Sequence, residues 1–378
     1  MADQFPKLRL AAVQVAPAYL DRDAAVDKAC RLIREAGAGG ADMVGFPENF
    51  IPGHPVWYYF HPAFSPKSMD FATALFKNSV EIPGPVTNAL CEAAAQAGVF
   101  VVMGLTEKRP DTTGTLFNTQ LFIDRHGHIV GKHQKLVPTM AERLVHTGGG
   151  GETQRTFPTE FGPVSGLICG ENSNPMAVAV LAAQYSRIHV ACWPHHFKPT
   201  PGYPDMPEIS LMVGRSLAYT CKAFVISACG IVTPEMADSL PATDADRAWL
   251  RDPTKCGGSA IIDPRGVVVA GPMSGEKEGI LYADVDLEVT VRSRLVHDFG
   301  GHYNRPDVFR LLVNQSNPSL VTNMAEPGWQ TDLREPALPG STHALPGGQP
   351  VTAAIERAYG REALPAELFG TAGGSKAK

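Results

Sequence analysis

The chain has 378 residues, 44% of them hydrophobic and 19% charged, with a formal net charge of -5. That length and balance exclude a disordered chain and supply enough apolar surface for a large core. Lysine and arginine are scattered with no basic stripe, residues 1–7 lack a secretory pattern and no apolar run is long enough for a bilayer, so the expected setting is the cytoplasm, with no nucleic acid or membrane partner.

Residues 8–16 are a short apolar run ending at Pro17, and residues 21–36 carry apolar side chains at helical spacing with glycines after them. This predicts strand, then helix. A second apolar run at 42–46 and a third at 99–104 flank a predicted helix at 87–97. Further strands are predicted at 117–124, 163–169, 189–193, 224–228, 258–262, 267–270 and 281–285, with helices at 176–185 and 212–222. Turn formers at 124–128 and at 263–266 sit between apolar runs and predict two hairpins, so the sheets should be mixed and covered by helices. From about Gly300 the composition changes, with proline and glycine frequent between 327 and 350 and one amphipathic stretch at 352–359. The expected organisation is one α/β body over residues 1–300 and an extended tail over 301–378.

Seven cysteines with no CxxC pair make neither a disulfide framework nor a zinc ribbon. Cys169 stands apart from the rest. Val164 to Ile168 reads as a strand feeding it, and Gly170-Glu171-Asn172-Ser173-Asn174-Pro175 leads into the next helix. Asn174 suits an N-cap and Pro175 a first helical position, so free N–H groups and a positive dipole end are expected near the sulfur, favouring thiolate. Gly170 is expected to let the chain turn sharply and to offer its N–H to negative charge developing on an attacked atom. Cys30, Cys91, Cys221 and Cys229 lie in helical or apolar stretches and read as small packing residues. Cys192 and Cys256 lack a following cap pattern, which leaves Cys169 as the candidate nucleophile.

Glu48 ends the second apolar strand, among Phe46, Pro47 and Phe50. Desolvation there would raise its pKa towards neutrality, as a general base requires, although an exposed strand-end glutamate is the commoner arrangement. Lys135 lies where a basic stretch, Lys132-His133-Gln134-Lys135, runs into an apolar one. Turned inward it needs carboxylate partners, for which Glu48 and Glu142 are available, and turned outward it is an ordinary solvated lysine. Spacing alone favours the solvated arrangement.

Three motifs taken together point the other way. Phe46-Pro47-Glu48, then Lys132-His133-Gln134-Lys135-Leu136-Val137-Pro138-Thr139, then Gly166-Leu167-Ile168-Cys169-Gly170-Glu171-Asn172 occur in that order, and the chain resembles the nitrilase superfamily from its first strand to about Arg310. The resemblance implies Glu48 as general base, Lys135 as electrostatic stabiliser and proton donor, Cys169 as nucleophile, and Glu142 as the second glutamate that supports the lysine. It is strongest towards the true nitrilase branch, through Pro47 to Pro55, the Pro138-Thr139-x-x-Glu142-Arg143 stretch and Gly301 to Asp307. Gly170 stands where many nitrilases have tryptophan. The family implies a four-layer α-β-β-α sandwich that pairs through helices and assembles into spirals through C-terminal segments, acting on a small nitrile with no metal or organic cofactor.

Trp57, Tyr58, Trp193, His195 and Phe197 follow the motif strands and are candidates for the substrate pocket, although such aromatics are more often core. The nearest alternative function is an amidase or carbamoylase with the same three residues. A metal enzyme is suggested by His126, His128, His133, His195 and His196, whose spacing fits no zinc pattern. The glycines at 148–151 lack the Lys-Ser/Thr of a phosphate loop.

Overall fold

In the computed structural model, residues 3–198 and 202–316 are described, together with the backbone of residues 321–322 and 330–331. All of these belong to one compact unit spanning 1–339. The first half of the chain runs β1 (Lys7–Gln14), α1 (Arg22–Ala38), β2 (Met43–Gly45), α2 (Pro66–Asn78), α3 (Pro85–Ala97), β3 (Phe100–Lys108), β4 (Leu116–Ile123) and β5 (Ile129–Gln134). The second half runs β6 (Val164–Ile168), α4 (Pro175–Ala183), β7 (Ile188–Trp193), α5 (Met206–Cys221), β8 (Phe224–Cys229), α6 (Pro234–Ser239), α7 (Asp244–Arg251), β9 (Ala260–Ile262), β10 (Val268–Ala270), β11 (Gly279–Asp286) and α8 (Glu288–Val296).

These strands form a six-stranded sheet in the order β11-β1-β2-β3-β4-β5 and a five-stranded sheet in the order β10-β9-β8-β7-β6. The first has a parallel centre, β1-β2-β3, flanked by antiparallel strands, and the second is parallel from its edge strand β6 through β7 to β8 and antiparallel from β8 to β10. The expectation of mixed sheets holds. Period-2 alternation then builds the layers. Leu10, Ala12, Phe100, Val102 and Phe122 of the first sheet meet Val164, Val190, Phe224, Ile226 and Ile261 of the second in a core between the sheets. The intervening residues Ala11, Val13, Val101 and Met103 face outward onto α1 and α3. Leu167, Ala191, Val225 and Ile262 likewise face α4 and α5. The architecture is the α-β-β-α sandwich.

The sheets approach closely at Gly45, where a Cβ would lie 2.8 Å from Val190 Cγ1 and 3.0 Å from Ile226 Cγ2. Nearby, Gln120 Nε2 of β4 donates to the Val190 carbonyl of β7 at 3.0 Å, a buried polar tie across the inter-sheet core.

Several elements differ from the sequence expectation. α5 begins at Met206, six residues ahead of the predicted 212, because Pro207 is accommodated in its first turn, where no N–H partner is needed. α2, α6 and α7 were not expected. Together with a 3-10 turn at Val56–Tyr59 they form a side cluster around Trp57, Leu75, Met236, Leu240 and Leu250. Ser65-Pro66, Thr233-Pro234 and the Thr243/Asp246 capping box were the signals that mark their starts. Residues 301–316, the first part of the expected extension, contain no helix or strand. The helix expected at 352–359 lies outside the described residues.

Candidate active site

Strand ends from both sheets converge on one buried cluster, at the carboxyl edge of the parallel strands where open α/β sheets place their sites. β2 of the first sheet leads into Glu48, whose N–H donates to the Trp193 carbonyl at the end of β7 in the second sheet at 3.2 Å. β5 leads into Lys135 and β6 into Cys169.

Lys135 is 1% exposed, and its inward orientation is settled by two carboxylates. Its Nζ lies 2.9 Å from Glu48 Oε1 and 2.6 Å from Glu142 Oε2. Asn118 of β4 donates from Nδ2 to Glu48 Oε1 and to Glu142 Oε1, both at 2.6 Å. Glu142 also accepts from the Thr139 N–H at 2.9 Å and has His146 Nδ1 3.0 Å from Oε1. Behind them, Thr106 Oγ1 donates to Asn49 Oδ1 at 3.2 Å, and Asn49 Nδ2 lies 3.1 Å from His54 Nδ1. Apart from Thr139, which contributes only its N–H, every member of this network is buried. Two oxygens of the cluster, Glu48 Oε2 and Asn118 Oδ1, are buried without a hydrogen-bond partner.

Cys169 sits in a sharp elbow between β6 and α4. Its φ is 53°, a left-handed conformation that a non-glycine residue adopts at a cost of about 1–3 kcal/mol and that is concentrated at functional sites. The elbow was expected to bend at Gly170, and instead the strained residue is the cysteine itself. A 3-10 turn, Cys169–Ser173, follows it, and Asn174 caps α4 by accepting from the Met176 N–H at 3.0 Å. The Asn172 amide ties the elbow down, donating to the carbonyls of Leu167 at 3.0 Å and Cys169 at 2.9 Å.

The electrostatics correct one expectation. The helix end was to favour thiolate, yet burial pushes the Cys169 thiol well above its ordinary range, with the Glu48 charge adding to the rise and Lys135 and the Gly170 N–H opposing it. Burial outweighs the dipole because the sulfur is enclosed and the nearest carboxylates are close enough to repel a second negative charge. Cys169 therefore rests as a thiol. Burial likewise raises Glu48, and Lys135 pulling down is partly offset by Glu142 pushing up. Glu142 is held well below the usual carboxylate range by Lys135 and His146, against its burial, and the two carboxylates hold the lysine well above its own, again against burial. One ammonium thus faces one firmly ionised carboxylate and one carboxylate poised to take a proton.

Residues 9–294 match the carbon-nitrogen hydrolase family. The chain belongs to that family. The curated relatives include a nitrilase of Bacillus sp. (strain OxB-1), 36% identical over 86% of this chain and 94% of the relative. Another, nitrilase 2 of an unknown prokaryotic organism, is 38% identical over 84% of this chain and 96% of the relative. Saccharomyces cerevisiae Nit3, a member of branch 10 of the nitrilase superfamily, has the same fold, with a TM-score of 0.58 at 22% identity over 79% of this chain and 97% of that one.

In this carbon-nitrogen hydrolase the remaining candidates fall into different places. Trp57 is fully buried, stacked on Phe71 with ring centroids 5.5 Å apart, and Tyr58 packs in the same side cluster. The Trp193 indole is buried and donates to Ser227 Oγ at 3.0 Å. His195 is buried beside His54, ring centroids 6.4 Å apart, and burial pushes both imidazoles down to about 3. Phe197 meets Tyr59 edge-on at 6.4 Å. Tyr59, not singled out in the sequence, is a tyrosine that the site's charges reach: burial raises its phenol, and Cys169, Glu142 and Glu48 raise it further against Lys135. Asn118 and His146 were also missed, although an asparagine inside an apolar strand and a histidine four residues after a paired glutamate are readable signals.

His126 and His128 lie in the β4–β5 turn, His133 faces Glu171, and among the described residues no group of three or more His, Cys, Asp or Glu side chains is arranged to hold a metal. Burial raises Cys192 well above its ordinary range, Cys256 to about 11 and Cys221 and Cys229 to about 12. No helix among the described residues is long and apolar enough to cross a membrane.

Proposed function

We propose that the protein is a nitrilase in which Cys169 is the nucleophile, Glu48 the general base, Lys135 the electrophilic stabiliser and Glu142 its support, hydrolysing an organic nitrile to a carboxylic acid and ammonia. The observation that carries this reading is the fully buried Lys135 ammonium held between Glu48 at 2.9 Å and Glu142 at 2.6 Å, next to a cysteine in a strained elbow. The nitrilase relatives spanning most of the chain at 36–38% identity support the substrate class.

The Cys169 thiol gives its proton to Glu48 as the sulfur adds to the nitrile carbon, and the nitrogen, gaining negative charge, is met by Lys135 and the Gly170 N–H and protonated by Lys135, which takes the proton back from Glu48 and so leaves a neutral thioimidate and an ionised Glu48. Removing one such donor typically costs ~10²–10³ in rate. Water deprotonated by Glu48 adds next, the C–N bond breaks as nitrogen leaves as ammonia, and a thioester remains. A second water hydrolyses it, releasing the acid and restoring the thiol. Two waters are consumed and one ammonia is released, with no electron transfer and so no need for a redox cofactor.

A panel of aliphatic, aromatic and arylacetic nitriles, with the matching amides, assayed for acid, amide and ammonia, tests this. Ammonia in step with acid from at least one nitrile is expected, abolished in Cys169→Ala. Turnover of amides alone, or full activity in Cys169→Ala, overturns it.

For assembly, residues 1–300 form the catalytic body in this proposal, residues 301–378 contribute to oligomer growth, and copies pair in the cytoplasm through the helical face of the second sheet. Supporting the pairing, Met212 and Tyr219 of α5 and Leu295 and Val296 of α8 leave large apolar side chains exposed. Light scattering of the full chain against a chain ending at residue 300 reads both claims.

A further inference from the structure

Glu171, two residues beyond the nucleophile, has a set of partners that the mechanism above does not use. It is buried, and its two oxygens take three donors. Oε1 accepts from the Leu136 N–H at 2.6 Å. Oε2 accepts from the Ile168 N–H at 3.1 Å and has His133 Nε2 at 3.0 Å. Leu136 directly follows Lys135, and Ile168 directly precedes Cys169. One side chain therefore grips the backbone immediately beside the ammonium in the first sheet and immediately beside the sulfur in the second. The His133 ring is fixed in turn, with Nδ1 3.3 Å from the Thr153 carbonyl.

The contrast with Asn172 defines what Glu171 adds. Asn172 binds the elbow's own carbonyls, at Leu167 and Cys169, and its Oδ1 meets His189 Nε2 at 2.8 Å, so it secures the elbow within the second sheet. Glu171 reaches the other sheet. A residue held at φ 53° stays there only when its surroundings over-determine it, and a nucleophile displaced by about 1 Å can lose roughly 100-fold in rate.

We propose that Glu171 is a positioning residue that fixes the distance between Cys169 and Lys135 by clamping the backbone N–H groups of Ile168 and Leu136. This rests on the assignment of those two side chains as nucleophile and stabiliser. It does not require the substrate to be a nitrile. Glu171→Gln isolates the clamp: the amide oxygen is retained where two donors converge, on Ile168 and His133, which turns the NH₂ towards the Leu136 N–H and breaks the link to the lysine strand while keeping size and the elbow's own cap.

The control is Glu107→Gln, a buried carboxylate bonded to the side chains of Thr119 and Gln134 at 2.7 and 3.0 Å and paired with Lys132, which ties β3, β4 and β5 together without bonding a main-chain N–H beside Lys135 or Cys169. The experiment compares wild type and both variants for iodoacetamide alkylation of Cys169 read by peptide mass spectrometry, for kcat and KM on a nitrile, and for melting temperature. Glu171→Gln is expected to lose roughly tenfold or more in both alkylation rate and kcat with KM within about threefold, while Glu107→Gln keeps both rates at a comparable loss of melting temperature. Rates in Glu171→Gln within about twofold of wild type, or an equal fall in Glu107→Gln, overturn the proposal. If Glu171→Gln does not accumulate folded, His133→Asn removes one leg of the clamp and is expected to lower the same two rates by a smaller factor, with no change overturning it. Should no nitrile be turned over, a tenfold fall in Cys169 alkylation still supports the clamp, because that chemistry needs no nitrile.

Discussion

Replacing Lys135 by methionine should be among the most destabilising single changes in the molecule, and removing a second charge should then restore part of the loss. Methionine fills nearly the same volume with a flexible apolar chain, so packing is kept while the ammonium that bonds Glu48 at 2.9 Å and Glu142 at 2.6 Å disappears. Two fully buried carboxyls are left bridged by the Asn118 amide alone. Breaking a buried ion pair by deleting one partner costs ~3–5 kcal/mol. With a urea slope of roughly 3 kcal/mol per molar for a domain of this size, the unfolding midpoint should fall by more than about 1 M. In Lys135→Met/Glu142→Gln one of the stranded charges is gone, so the double variant should be more stable than Lys135→Met, a sign opposite to additivity. The pH dependence follows the same logic. In wild type Glu142 is held below its ordinary range by Lys135 and His146, so its contribution is present above the ordinary carboxylate pKa and lost only as pH falls through the depressed folded value. Without Lys135 the two carboxyls repel and burial dominates, which raises both, so the variant gains relative stability as pH falls. Urea titrations followed by tryptophan fluorescence, at fixed protein concentration and at two pH values, measure all of this. A single variant within about 1 kcal/mol of wild type, or a double variant less stable than the single one, would refute the account of an ammonium compensating two anions.

Because burial raises Glu48, and a base acts only when ionised, the acidic limb of kcat/KM is expected above the ordinary carboxylate range of about 4.3, and a limb at or below that value would contradict its role. Iodoacetamide labelling of Cys169 should still be rising beyond pH 9, since the thiol sits well above its ordinary range; a plateau below about pH 8.5 would mean the thiolate is the resting form after all. Cys192→Ala should retain ammonia release at a stability cost of about 1–2 kcal/mol, because that fully buried sulfur lies within β7, and loss of turnover in a folded variant would reopen the choice of nucleophile. Gly45→Ala is expected to destabilise by about 1–3 kcal/mol through overpacking, as its methyl would meet Val190 and Ile226 at 2.8 and 3.0 Å; an unchanged melting temperature would show that the sheets can separate freely there.

The strands were the legible part of the fold because the central ones are buried on both faces and read as nearly unbroken apolar runs, as in Phe224–Cys229, where Ser227 alone is polar. Helices α2, α6 and α7 were not, since they bury few side chains each and announce themselves only through caps. Within the site, Cys169 was singled out by the strand-to-helix turn it occupies, whereas Glu48, Lys135 and Glu142 were joined to it through motif resemblance, since no periodicity in the sequence brings positions 48 and 135 together. Asn118, His146 and Tyr59 escaped because their significance is a matter of which neighbours they meet after folding. The protonation of Cys169 was misjudged for the same reason: a helix end is visible in the sequence, whereas the enclosure that outweighs it depends on residues from several distant segments.

Glu48 and Lys135 hang from one sheet and Cys169 from the other, and a main-chain bond from the Glu48 N–H to the Trp193 carbonyl spans the seam beside them. Turnover is therefore a gauge of how the two slabs are aligned, finer than any measure of helix or strand content. Mild heat or denaturant that lets one slab creep against the other by a fraction of an ångström would silence the chemistry while every strand remained intact.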